Sequence, residues 1–181
     1  MYETWLRPNR RAIWFGCLPP LIMLAIGAWS IVRATDQSPS WLRWAGAVMA
    51  ALGIGMIVML LRQLRRPRIA YRDGEVLFYL RSGSPIAAPV NVVEAFFLGQ
   101  GPAVFTGEVR SKHETVNLVA RLSQREAEWA RREVKPALGN WCDGYVTVRG
   151  TWCEPLVPDL IRQLNRRLKE VKSHNDRKDE R

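Results

Sequence analysis

Histidine and cysteine are scarce in this chain, with two and three residues in 181. That scarcity narrows the chemistry before any pattern is read. A zinc site wants four ligands with close Cys or His pairs. Trp141-Cys142-Asp143 and Trp152-Cys153-Glu154 echo one another, but each offers a single thiol, and His113 and His174 stand far apart. A cysteine nucleophile needs a neighbouring base and an orienting carboxylate. His113 with Glu114 is the sole conceivable helper, and adjacent residues on a strand face opposite ways. The acidic residues fall on turns and solvated helix faces, which leaves no carboxylate pair for acid–base work. No catalytic residue, metal or cofactor is therefore expected.

Three cysteines do not make a disulfide framework. Cys17 sits in an apolar run, and the chain between Cys142 and Cys153 reads as extended. At roughly 3.3 Å per residue a straight strand sets those two tens of Å apart, whereas a bridge needs Cα atoms within about 7 Å. Free thiols in a reducing compartment are the expectation.

Negative charge is also in deficit, at 17 Asp+Glu against 27 Lys+Arg, a net +10. From Ala12 to Val32, and again from Trp44 to Leu61, charge is missing altogether. At 1.5 Å rise per residue these runs span about 31 and 27 Å as helices, close to a hydrocarbon core of roughly 30 Å. A cleaved signal peptide has a shorter apolar region, about 7–15 residues, followed by a small-residue cleavage site that is missing here. Trp14, Phe15, Trp29, Trp41 and Trp44 stand near the ends of the runs, at the level where indole rings favour headgroups. Two membrane helices at about 12–32 and 43–64 are predicted, within an N-terminal hairpin of residues 1–66.

Arginines set the orientation. Arg7, Arg10 and Arg11 precede the hairpin, Arg62, Arg65, Arg66 and Arg68 follow it, and the loop has Arg33 and Arg43 alone. Seven against two places both termini in the cytoplasm. Arg62, Arg65, Arg66 and Arg68 are accordingly the predicted membrane-surface residues, each worth about 1 kcal/mol of attraction to anionic lipid. Pro19-Pro20 predicts a kink, because each ring crowds the carbonyl four residues back, at Phe15 and Gly16. Ala47, Ala51 and Gly55 recur every four residues, a small-residue stripe on which another helix can pack closely. That helix is either the first one of the same chain or a second copy. Neither run carries an ionisable group, so an ion or proton path has no support.

Beyond Pro67 the period changes. Ile69-Ala70-Tyr71, Asp73-Gly74 and Glu75 to Leu80 predict a β-hairpin. Val90 to Leu98 reads as a strand closed by Gly99-Gln100-Gly101-Pro102. That Gly-rich stretch lacks the following helix of a phosphate loop and reads as a turn. Val104 to Val109 is a weaker strand, and Thr115 to Leu122 alternates as a half-buried one. Ser123-Gln124-Arg125-Glu126 has capping-box spacing and predicts a helix to about Lys135. A short strand, Tyr145 to Val148, follows Asp143-Gly144. Val157, Leu160, Ile161, Leu164, Leu168 and Val171 then share one helix face, with residues 174–181 as a charged tail. Arg162, Arg166 and Lys169 form a short basic row without interleaved aromatics, which reads as a solvated face, so nucleic acid is not expected.

Arg72-Asp73-Gly74-Glu75-Val76-Leu77-Phe78-Tyr79, the stretch from Pro85-Ile86 to Val93 and the closing helix together resemble the bacterial PH-like domains found beside paired transmembrane helices. The resemblance covers about residues 68–172. It departs from the family in the helix from Ser123 to Lys135, which precedes a final strand. The expected fold class is α+β: a transmembrane hairpin, then a mainly antiparallel domain over 67–173, as a PH-like barrel or an open sheet, ending in an amphipathic helix. The resemblance implies a multi-pass inner-membrane protein. The function expected is a non-enzymatic interaction module, showing its domain to a protein partner or lipid headgroups. An accessory subunit of a larger membrane complex is the second expectation, with the bilayer and a protein partner or second copy as partners. An enzyme with an unrecognised site is the third.

Overall fold

The computed structural model describes residues 2–33, 39–102, 114–123 and 127–179. The chain divides into two compact units, one of Arg10–Arg66 and one joining Met1–Asn9 to Pro67–Arg181. The helical unit ends at Arg66 and the β-rich unit resumes at Pro67. The first nine residues, expected in the hairpin, belong instead with the β-rich unit.

In the helical unit, α1 (Arg10–Gly16) and α2 (Leu18–Arg33) are separated at Cys17, and α3 runs over Ser40–Arg65. The break falls just before Pro19-Pro20, whose rings crowd the preceding turn. There the Cys17 N–H is shared between the Ile13 and Trp14 carbonyls, both at 3.1 Å. α2 and α3 pack through glycine. A Cβ built on Gly27 would stand 2.7 Å from both the Ala50 nitrogen and the Gly46 carbonyl oxygen. One built on Gly53 would stand 2.8 Å from the Pro20 carbonyl oxygen. Backbones this close exclude any side chain at those positions.

The β-rich unit holds two four-stranded antiparallel sheets and a closing helix. The first sheet has the order β1 (Tyr2–Leu6), β2 (Ile69–Arg72), β3 (Glu75–Phe78), β4 (Ile86–Pro89). The second has the order β5 (Val93–Pro102), β6 (Glu114–Leu122), β8 (Tyr145–Val148), β7 (Gly139–Cys142). No strand pairing joins the two sheets among the described residues, so they do not close into one barrel. The β2–β3 and β7–β8 turns use Asp-Gly pairs as expected. Asp73 and Gly74 have φ of 49° and 89°, and Asp143 and Gly144 have 53° and 76°, the left-handed pair that two-residue hairpins require.

One apolar core lies between the sheets and α4 (Pro158–Asp179). Phe78 meets Trp141 edge-on at 5.5 Å, and Trp5 meets Phe96 edge-on at 6.2 Å, so aromatic pairs join the sheets. α4 contributes Ile161, Leu164 and Leu168 to this core. It runs on to Asp179, so part of the expected tail is helical.

Three further expectations are corrected. The helix expected from Ser123 to Lys135 is not seen where the segment is described. Among its described residues there is only a 3₁₀ turn at Ala127–Trp129, then an isolated bridge from Arg131 to Cys142. Its helical apolar face was thin, and burying Trp129 is worth more. That indole is 8% exposed, and the Trp129 carbonyl accepts a 2.8 Å bond from Trp141 Nε1. Gly99-Gln100-Gly101-Pro102 is not a turn but the end of β5, paired with Asn117 down to Glu114. The chain between Cys142 and Cys153 is not straight, since β7 and β8 form a hairpin there, yet both thiols are free. Val104 to Val109 and His113 lie outside the described residues.

Candidate functional site

Two features of the chain were candidates for function: the apolar hairpin with its arginines, and whatever concave surface the β-rich unit offers. In the helical unit, two helices among the described residues are long and apolar enough to cross a membrane, Arg10–Arg33 and Trp41–Arg65. Only 17% and 11% of their most apolar stretches are buried within the chain. A helix from the core of a water-soluble protein is largely covered. Here Trp14, Phe15, Trp29, Val32, Trp41 and Trp44 are all more than 60% exposed. Arg33 lies over the Trp29 ring at 4.5 Å, a cation–π contact at the end of α2.

The small-residue positions of α3 divide into two faces. Gly46, Ala50 and Gly53 meet α2, and a Cβ on either glycine would stand within 3 Å of an α2 carbonyl oxygen. Ala47, Ala51 and Gly55 are exposed, and a Cβ on Gly55 would meet nothing within 4 Å. The stripe singled out from the sequence is thus not the one that the first helix occupies. A search for small residues at a four-residue spacing finds both faces and cannot rank them.

The basic residues also divide. Arg62 and Arg65 end α3, Arg66 caps it, and all three are exposed. Arg68 is not among them, being 4% exposed within the β-rich unit. Its backbone N–H donates to the Leu6 carbonyl at 2.8 Å and its Nε to the Trp152 carbonyl at 3.1 Å. Burial pushes the guanidinium pKa down, and the nearby Cys153 works against that shift. Arg68 is a buried structural cation in this fold, not a membrane-facing one.

Arg68 belongs to a clamp that holds the N-terminal segment. β1 pairs with β2 from Tyr2↔Arg72 to Leu6↔Ile69, with a bulge between Thr4 and Leu6. An extra residue at a bulge re-aims side chains, and Trp5 and Leu6 are both buried. Trp5 stacks on Tyr71 at 5.5 Å. Beyond the strand, the Arg7 N–H donates to the Glu154 carboxylate at 2.8 Å, and Glu154 N–H returns a bond to the Arg7 carbonyl at 3.0 Å. Asn9 donates to the Trp152 and Thr151 carbonyls, both at 3.0 Å. Here the second Trp-Cys-acid echo finds its role. Cys153 is 1% exposed, its thiol donates to the Arg149 carbonyl at 3.3 Å, and burial pushes its pKa up to about 12. That is a packed thiol rather than a nucleophile.

Among the described residues of the β-rich unit, two concave surfaces stand out. One, of about 400 Å³, lies between the β2–β3 turn and the end of α4 and includes Glu3, Tyr71, Asp73, Glu170 and His174. Glu3 is engaged there, with Arg167 at 3.2 Å and with the Trp5 Nε1 at 3.2 Å. The other, of about 290 Å³, lies on the second sheet over Gly99, Gln100, Asn117, Val119, Gly139, Asn140, Thr147 and Arg149. Among the described residues, no group of three or more His, Cys, Asp and Glu is placed to hold a metal ion.

The chain matches no family model, and no curated protein or solved structure matches it. Its class is therefore stated from the fold alone: an α+β protein with two apolar helices inserted between the first two strands of a two-sheet unit.

Proposed function

We propose that this chain is a membrane-anchored interaction module, non-enzymatic, with the hairpin crossing the bilayer twice and both termini in the cytoplasm. The observation that carries the reading is the pairing of β1 with β2. These strands flank the hairpin in sequence, and a hydrogen-bonded ladder needs both on one side of any membrane. The chain between them then crosses an even number of times, as two spans do. The same ladder speaks against a cleaved signal sequence, since cleavage beyond the first helix would remove Trp5 and Leu6 from the core. The excess of arginines on the flanks over the loop supports a cytoplasmic face. The exposed Arg62, Arg65 and Arg66 suit the headgroup region there. Strands followed by a closing helix also support the PH-like resemblance, at the level of element order alone. On this reading the β-rich unit is what meets the protein partner or lipid headgroups.

The test is a pair of reporter fusions after Arg181. A fluorescent protein that matures in the cytoplasm should glow, and alkaline phosphatase, active only outside, should stay silent. Phosphatase activity, or full-length protein in the soluble fraction without detergent, overturns the proposal.

A second reading, an accessory subunit of a larger membrane complex, is favoured by the open Ala47/Ala51/Gly55 face. Ala51→Leu with Gly55→Leu should release co-purifying membrane proteins without disturbing the α2–α3 seam. Unchanged co-purification would exclude that face as the docking seam.

A further inference from the structure

We propose that the cleft on the outer face of the second sheet binds a phosphate oxyanion, with Asn117, Asn140 and Thr147 as its donors and Arg149 as its positive charge. The inference stands apart from the membrane reading, because every residue it uses lies in the β-rich unit.

The cleft exists because side chains are missing. Gly99 and Gly139 lie on the two edge strands of the sheet, and neither position accepts a side chain without displacement. A Cβ on Gly99 would stand 2.7 Å from Val119 Cγ2, and one on Gly139 would stand 2.1 Å from the Thr147 carbonyl oxygen. The hollow of about 290 Å³ is lined by Val119 and the two glycines and by the polar side chains of Gln100, Asn117, Asn140, Thr147 and Arg149.

Those groups are biased toward donation. Asn117 is 5% exposed, and its Oδ1 is taken by the Gly150 N–H at 3.1 Å. Its Nδ2 has no hydrogen-bond partner among the described residues. Asn140 repeats the arrangement, its Oδ1 accepting the Trp141 N–H at 3.0 Å. With both carboxamide oxygens held by backbone, both amides bring N–H groups to a ligand. Thr147 adds a hydroxyl. Arg149, whose Nε is held by the Pro136 carbonyl at 2.7 Å, adds positive charge. No lining residue is acidic, so a cation finds no counter-charge. Register places Asn117, Thr147 and Asn140 on three adjacent strands, β6, β8 and β7. Donors spread across three strands suit an acceptor with oxygens pointing in several directions, as phosphate has, better than a planar carboxylate.

The test uses the full-length chain in detergent micelles, labelled with ¹⁵N, titrated with inorganic phosphate at fixed ionic strength. The Asn117 and Asn140 side-chain amide signals should move and saturate, while chloride leaves them in place. Asn117→Asp keeps the acceptor for Gly150 N–H but replaces the donor, and should weaken binding at least about tenfold, the scale of a charge-assisted bond. Asn140→Leu, on an exposed position of an edge strand, is the second variant and should also weaken it. Nanodiscs separate the sources: with phosphatidate present and no added phosphate, the shifts appear if a lipid headgroup is the ligand. If free phosphate is the ligand, they appear with inorganic phosphate alone. No shift from either source, equal shifts from acetate or chloride, or undiminished binding in both variants overturns the proposal.

Discussion

Asn165, in the middle of α4, hydrogen-bonds both backbone groups of Phe96 on the edge strand β5. Its Oδ1 accepts the Phe96 N–H at 2.8 Å, and its Nδ2 donates to the Phe96 carbonyl at 2.9 Å. One carboxamide thereby stands in for a neighbouring strand at the point where the sheet ends. An edge strand with unpaired N–H and C=O groups is a template for unwanted pairing, and here the closing helix covers it.

Replacing Asn165 by Leu leaves both Phe96 groups unpaired under the helix. The expected loss is about 1–3 kcal/mol, read as a lower unfolding midpoint in denaturant for the full-length protein in detergent. Asn165→Asp keeps the acceptor but sets a carboxylate against the Phe96 carbonyl, and should fall between the two.

Gly27 and Gly55 should respond in opposite ways. Gly27→Leu drives a side chain into the Ala50 and Gly46 backbone and should separate α2 from α3. A cysteine pair placed across that seam would then cross-link poorly. Gly55→Ala meets open space and should be neutral or stabilising by up to about 1 kcal/mol, the helix preference of Ala over Gly.

Trp5→Ala tests whether the N-terminal strand belongs to the β-rich unit. The indole is 3% exposed, stacked on Tyr71 and edge-on to Phe96. Truncating a buried aromatic costs about 3–5 kcal/mol, so the midpoint should drop sharply. A drop below about 0.5 kcal/mol, ordinary for a surface site, would mean the strand is not part of the core.

The cysteines give a pH prediction. Burial raises the Cys153 thiol from its ordinary value near 9 to about 12. Below pH 9 both folded and unfolded chains keep the proton. Between pH 9 and 12 the unfolded chain releases it while the folded chain does not, so stability falls as pH rises through that window. Cys153→Ala should flatten that part of the stability curve. At pH 8, maleimide should label the partly exposed Cys142 and spare Cys153 until denaturant is added.

What could be read from the sequence was local. The Asp73-Gly74 and Asp143-Gly144 turns, the alternation through Leu118, Ala120 and Leu122, and the apolar face of α4 each depend on residues a few positions apart. What escaped was non-local. Tyr2–Leu6 carries only five residues of weak pattern, and its partner lies beyond the whole hairpin. The helix expected after Ser123 has reasonable local signals and loses to Trp129, whose burial beside Trp141 no local window contains. Arg68 reads as one more arginine in a basic flank. Nothing near it in sequence says that its Nε will meet the Trp152 carbonyl.

The insertion of the hairpin between β1 and β2 also orders events in time. Tyr2–Leu6 leaves the ribosome well before its partner strand Ile69–Arg72, which emerges after every residue of the three helices. A nascent chain whose helices fail to fold back keeps its two flanks apart, with Trp5 and Leu6 uncovered for proteases to find. Completion of the first sheet thus depends on the helices made before it.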